Sequence, residues 1–220
     1  MPEIIQHLLN RKIQDTIFCT VTQDQFNRAV TSSGYPTPRP GQYQGFKNGL
    51  SKGDISTKRE AAMALAQFMH ESDGLRAKEE YDCMKTKCPN SYTNSERRCE
   101  VHGKYYYGRG YIQLSWCYNY QDAGQGLNLG DKLLNNPDLV ASNEQYAWDT
   151  AFWFWRERVR KGQYGAQVQA GQFGYSTRAI NGKEECTGRN VDKSKSRFRI
   201  YQNVYRAFGV EGQPDERGCY

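Results

Sequence analysis

Residues 105–120 read YYYGRGYIQLSWCYNY. Three tyrosines run into a Gly-Arg-Gly turn. The segment then sets amide and hydroxyl groups, Gln113, Ser115 and Asn119, among aromatic and aliphatic side chains. Flat rings beside neutral hydrogen-bonding groups suit a sugar that carries hydroxyls and N-acetyl groups. A tight turn with core aromatics is the plainer account of the same residues, and part of the stretch must serve that purpose.

Upstream lies STKREAAMALAQFMHESDG, residues 56–74. Thr57 and Glu60 form a capping-box pattern, strong helix formers follow, and Gly74 is a suitable stop. The helix ends in His70-Glu71. A zinc-protease helix would need a second histidine four residues after the first, and that position is Gly74. Glu71 shares a helix side with Ala64 and Phe68. A carboxyl beside apolar groups loses hydration, which raises its pKa and suits a general acid. On spacing alone, a solvated glutamate at a helix end is the favoured reading. GLRAKEEYDC then supplies Glu79, Glu80 and Asp82. Paired carboxylates flanking a cleft are the tools of glycoside hydrolysis, although adjacent acids on a polar loop are commonly just solvated.

Further signals are mainly helical. Thr22 and Gln25 make one capping box, and Ser142 and Gln145 another, leading into YAWDTAFWFWRERV. That helix is apolar nearly all round and is expected to be buried. LSWCYNYQDAGQGL reads as a short helix broken by glycines, and GAQVQAGQFGYS as a glycine-rich loop. The last helix carries Phe198, Tyr201, Tyr205 and Phe208 on one stripe. No repeat, linker or alternating strand run is visible. The fold class is therefore mostly α, one domain with two lobes about a cleft.

The chain has 220 residues, enough for a sizeable core. The +6 net charge is scattered among acidic residues rather than gathered in a stripe, so a nucleic-acid partner is not expected. No run is apolar enough to span a membrane. Residues 1–20 lack the apolar core of a signal peptide. They read as an amphipathic helical extension, with Ile4, Ile5, Leu8, Leu9 and Ile13 near one face. The seven cysteines offer one C-x4-C spacing, Cys83 and Cys88, but no second close pair, and the three histidines are dispersed. Disulfides in an oxidising compartment fit better than zinc, with an odd thiol left over.

With these residues quoted, the sequence resembles the chitinases of glycoside hydrolase family 19 from about residue 21 to the C-terminus. The helix ending HES resembles that family's His-Glu-Thr segment. YYGRGYIQLSWCYNY resembles its Tyr-Tyr-Gly-Arg-Gly-Pro-Ile-Gln-Leu-Ser signature. LLNNPDLVA, AFWFW and AINGKEEC follow in the family order.

The resemblance implies a lysozyme-like, two-lobed helical catalytic domain over 21–220 with a central substrate cleft. It implies an endo-acting, inverting hydrolase of β-1,4-linked N-acetylglucosamine polymers, needing no cofactor or metal. The partner is then chitin or a chito-oligosaccharide, the state monomeric and the location extracellular, with any signal peptide outside this chain. Glu71 matches the general acid. Glu80, nine residues on, matches the base, with Glu79 in reserve. Ser115 matches the serine that holds the attacking water. Gln113, Tyr118, Asn119 and Asn181 match sugar-contacting positions. Glu185 and Arg197 match charged cleft residues of an ion-pair network, and His70 is expected to brace the site by hydrogen bonds. On the same resemblance Cys186 pairs with Cys219, and Cys88 with Cys99.

Asp73 stands where the family has glycine, Tyr111 where it has proline, and Cys117 where it has asparagine. If close, Asp73 would add negative charge beside Glu71. Two other readings are a peptidoglycan hydrolase and a chitin-binding protein without catalysis. The presence of both Glu71 and Glu80 weighs against the latter.

Overall fold

The structure is a computed structural model, and it describes residues 20–93 and 96–220. The expected amphipathic helix at the N-terminus and Cys19 lie outside the described residues. The described chain is mainly helical, and its extended pairing is confined to isolated bridges, including Glu79 with Arg109 and Arg109 with Leu114.

Eleven helices are distinguished among the described residues: α1 (Gln23–Thr31), α2 (Gln42–Lys52), α3 (Lys58–Glu71), α4 (Tyr81–Thr86), α5 (Cys117–Gly126), α6 (Lys132–Asn135), α7 (Leu139–Ser142), α8 (Glu144–Phe154), α9 (Gly165–Gln169), α10 (Phe173–Glu185) and α11 (Val191–Ala207). A π-helical turn, Trp155–Arg160, continues α8 directly. None is long and apolar enough to cross a membrane.

The centre of the molecule is α3. Every residue from Glu60 to Met69 is buried, so this helix has no solvent face over most of its length. Helix α11 lies along it, and α8 lies against α2. Phe68 and Phe46 contact both Trp148 and Phe152 of α8, joining the two helix pairs into one aromatic core.

The expected caps are partly corrected. Thr22 and Gln25 form the full reciprocal box at α1. At α3, Thr57 accepts from the Glu60 amide, but the Glu60 carboxylate does not return the bond. It accepts instead from Trp155 Nε1 at 3.0 Å and pairs with Arg160 at 2.5 Å, which ties α3 to the π-helical turn. The cap of α8 is Asn143, which accepts from the Tyr146 amide, because Ser142 is used as the last residue of α7.

Glycines that read as helix breakers are contact points. Gly124 and Gly126 lie inside a continuous α5, where added Cβ atoms would stand 2.3 Å from the Gly130 carbonyl oxygen and 2.3 Å from Trp153 Nε1. Likewise, residues expected as a glycine-rich loop form α9 and the start of α10. Gly49 of α2 gives a test of this principle. Alanine is favoured over glycine in a helix interior by about 1 kcal/mol. Yet a Cβ at Gly49 would fall 2.0 Å from the buried Phe152 ring. Overpacking typically costs about 1–3 kcal/mol and wins. Gly49→Ala should therefore lower the urea midpoint, where a purely propensity-driven site would raise it.

Among the described residues three disulfides form: Cys83–Cys88, Cys99–Cys117 and Cys186–Cys219. The last is as expected. The expected Cys88–Cys99 bond does not form. Cys88 closes a short loop onto α4, and Cys99 reaches the first residue of α5. Cys117, which replaces the family asparagine, supplies that partner.

Candidate functional site

A cleft of about 750 Å³ is lined by two groups of side chains. One comprises Glu71 at the end of α3, Ala179–Asn181 of α10, Lys193 of α11, and Phe154 and Arg158 about the π-helical turn. The other comprises Glu80, Tyr92, Gly108 and residues Ile112–Trp116 with Tyr118 and Asn119.

The second group hangs on Arg109. Its guanidinium is 1 % exposed and lies 3.6 Å from the Tyr107 ring centroid. It donates to the Tyr105 carbonyl and the Tyr120 hydroxyl and pairs with Asp138 at 2.6 Å. A buried charge held at both terminal nitrogens, with Nε 3.8 Å from Glu79, fixes the turn around it. On that turn Gln113 and Trp116 adopt left-handed backbone (φ 51° and 73°), a conformation side-chain-bearing residues rarely hold without surrounding constraint. Gln113 donates to the Gly110 carbonyl at 3.0 Å, and Asn119 to the Ser115 carbonyl at 2.9 Å. Trp116 stacks on Tyr118 with centroids 6.2 Å apart.

Glu80 is held at one oxygen. Its Oε2 accepts from the Tyr92 hydroxyl at 3.0 Å and the Gly108 amide at 3.2 Å. The Glu80 amide donates to the Gly108 carbonyl at 2.9 Å. Glu79, next in the chain, does not line this cleft. It accepts from the Tyr107 hydroxyl and helps line a separate pocket with Tyr81, Met84 and Lys87. Chain alternation at the Glu79–Arg109 bridge separates the neighbours.

Glu71 is 18 % exposed at its side chain, and Arg197 lies 2.5 Å from its carboxylate. Arg197 is itself buried. It donates to both oxygens of Glu185 at 2.7 Å and to Gln67 at 2.9 Å. Asn181 donates to Glu185 at 2.8 Å from a kink in α10. The expected setting of Glu71 beside apolar groups is thus corrected: its carboxylate faces a guanidinium. Burial would push the Glu185 carboxyl up, but bonding and charge from Arg197, with Asn181, outweigh it and hold the carboxyl below its ordinary value. The two carboxylates keep Arg197 cationic despite burial.

Of the expected site residues, Glu71, Glu80, Ser115, Gln113, Tyr118, Asn119 and Asn181 line the cleft. Glu185, Arg197 and His70 do not. The first two reach it through Asn181 and Glu71. Nor does His70 brace the site by hydrogen bonds among the described residues. Burial first, then the Arg197 charge, lower its pKa to about 3. Asp73 turns away from Glu71, pairing with Arg76 at 2.6 Å and accepting from the Tyr81 hydroxyl. Tyr111, in place of proline, is buried and donates to Glu144 at 2.5 Å. Sequence reading missed Trp116, Tyr92, Arg158 and Lys193. Trp116 lay in plain view within residues 105–120. Tyr92 lies in the cysteine-rich segment, whose course no periodicity reveals.

His70 gives a pH prediction. A base whose folded pKa is depressed is left unprotonated in the fold while the unfolded chain takes up a proton, so stability falls as pH drops. The window runs from about 6.5, the ordinary value, to about 3. Urea midpoints of the wild type should fall between pH 6.5 and 4.5, and those of His70→Gln should fall less. Parallel curves would refute the assignment.

Comparison with known proteins gives a consistent set of relatives. The pattern of chitinase class I, glycoside hydrolase family 19, matches residues 40–217. An Arabidopsis thaliana endochitinase is 39% identical over 209 residues, covering 92% of this chain and 69% of the relative. The crystal structure of chitinase C from Streptomyces griseus matches with a TM-score of 0.72 at 32% identity, covering 89% of this chain and 95% of that one. A class IV chitinase from Zea mays matches with a TM-score of 0.65 at 27% identity, covering 87% and 94%.

Proposed function

Because the chain belongs to glycoside hydrolase family 19, the chitinase class I family, and is a glycoside hydrolase, we propose that it cleaves β-1,4-linked N-acetylglucosamine chains internally, with inversion, using Glu71 as acid and Glu80 as base. The observation that carries this reading is that both carboxyls line one cleft on unlike supports, one on a buried cation and one on neutral donors.

Charge counting supports the division of roles. Glu71, Glu185 and Arg197 together carry one net negative charge when both acids are ionised. Glu185 already engages the guanidinium at two points. In the acid role Glu71 carries the proton, and the three side chains then sum to zero charge. That proton is what the glycosidic oxygen needs as the C–O bond breaks. Glu80 has neutral partners on one oxygen, which leaves the other to draw a proton from water. The water attacks the anomeric carbon as the leaving group departs, giving inverted configuration. Inverting enzymes keep their carboxyls about 6.5–9.5 Å apart to admit that water. Ser115, lining the cleft near Tyr92, is suited to hold it. Trp116 and Tyr118 offer rings for sugar faces, and Gln113, Asn119 and Asn181 offer amides for hydroxyl and N-acetyl groups. The three disulfides among the described residues support an oxidising compartment, extracellular or vacuolar.

The test is hydrolysis of an N-acetylglucosamine hexamer, with product anomers followed by proton NMR from the first minutes. The α-anomer should appear first and mutarotate later. Initial β-anomer would reject inversion. Binding without cleavage would favour the non-catalytic reading, and cleavage of peptidoglycan alone would favour the peptidoglycan reading.

A further inference from the structure

We propose that Tyr92 is a positioning residue for the reaction: its hydroxyl, together with the Gly108 amide, occupies Oε2 of Glu80 and so reserves Oε1 for the attacking water. This rests on the reading of Glu80 as the base.

The geometry is specific. Two donors converge on the same oxygen, at 3.0 Å from Tyr92 and 3.2 Å from Gly108. A carboxylate with one oxygen doubly engaged cannot rotate about its last bond without losing both contacts. Its second oxygen is then directed rather than free to exchange. Ser115, the serine assigned to the water, lines the same cleft and donates its hydroxyl to the Gln113 carbonyl at 2.9 Å. Burial first, then the hydrogen bond to Glu80 and its charge, push the phenol up to about 12, so it remains a donor whenever the base is ionised.

Tyr92 is itself held. Its ring packs edge-on against Trp116 with centroids 5.5 Å apart. Its backbone is left-handed, φ 58°, an uncommon state for a tyrosine. The segment that carries it is closed at one end by Cys83–Cys88 and at the other by Cys99–Cys117, which anchors it to the helix following Trp116. Two disulfides thus bracket this segment, and what that bracket delivers to the cleft is a phenol hydroxyl on the base.

The experiment compares Tyr92→Phe with Glu80→Gln on the hexamer. Phenylalanine keeps the ring on Trp116 and deletes only the donor, so an unchanged thermal midpoint is the control for folding. Loss of a hydrogen bond to a charged group corresponds to about a tenfold to hundredfold loss. Tyr92→Phe should lower kcat by about that factor with KM within twofold. It should also move the acidic limb of the kcat/KM profile upward, since the ionised base loses a donor. The other charges facing this site, Glu71, Arg158 and Lys193, are unchanged in the variant. A merely structural tyrosine would alter the thermal midpoint or KM and leave that limb in place. Wild-type kcat and pH limb in Tyr92→Phe, with Glu80→Gln inactive, would overturn the proposal and leave the base assignment standing. Full activity in Glu80→Gln would overturn both.

Discussion

Glu71→Gln lowers turnover of the hexamer by about three orders of magnitude, within the range that general acid catalysis contributes, while oligosaccharide binding persists. The expectation follows from what the substitution keeps. Glutamine has the volume of glutamate and presents a carbonyl oxygen to Arg197, so the contact at 2.5 Å retains a donor and an acceptor. What it cannot do is release a proton to the departing oxygen. The pair of measurements is therefore turnover and calorimetric affinity on the same preparation. Turnover within tenfold of wild type would remove Glu71 from the acid role. A joint loss of affinity and thermal stability would show that the residue is structural. The Gln variant also leaves Glu185 as the sole carboxylate on Arg197, which settles the charge of the group at zero without any proton.

The second large effect is on stability. Arg197→Leu should cost about 3–5 kcal/mol, the usual penalty for stranding one partner of a buried ion pair. Glu185 is 1% exposed, and without Arg197 it keeps only Asn181 as a side-chain donor among the described residues. The double variant Arg197→Leu/Glu185→Leu should recover much of the loss, because a buried ion pair and an apolar pair of similar volume are often close in free energy. Urea unfolding of the four members of this cycle measures the coupling. The pH dependence has a definite sign. Glu185 has a folded pKa below its ordinary value of 4.5, so its contribution is present above that value and lost as pH falls below it. The gap between wild type and Arg197→Leu should narrow as the solution is made more acidic than pH 4.5. A gap independent of pH would place the energy elsewhere. A double variant as unstable as the single one would do the same.

The helices and one of the two carboxylates were legible in the sequence because their signals are local. Thr57, the alanine-rich run and Gly74 bound α3 within a few residues, and Glu71 is its last residue. The stretch 105–120 announced itself by composition. Glu80 over Glu79 was a weaker choice, since adjacent acids look alike until a bridge to Arg109 turns one toward the cleft and the other away. The surroundings of Glu71 were misread for a related reason: helix spacing shows which neighbours share its side, but not that Arg197, 126 positions later, delivers its guanidinium there. The Cys88–Cys99 pairing failed similarly, since residues 87–104 lack the periodicity that would fix where those two cysteines lie, while Cys186–Cys219 formed as expected. Glycines misled where they were read as chain breakers, because a tight interhelical approach at Gly124 and a turn leave the same letter in the sequence.

The supports of the two carboxyls also differ in how far apart they lie along the chain. Glu80, Tyr92, Gly108 and Ser115 fall within one stretch of it, while Glu71 depends on Arg197 of α11. During synthesis the chain emerges N-terminus first. A nascent polypeptide can complete the first set while the second has no cation at all, and α3, whose buried length is covered by α11, still lacks its cover. Truncated or stalled products ending before residue 197 therefore carry the water-side residues without the ion-pair network behind the acid.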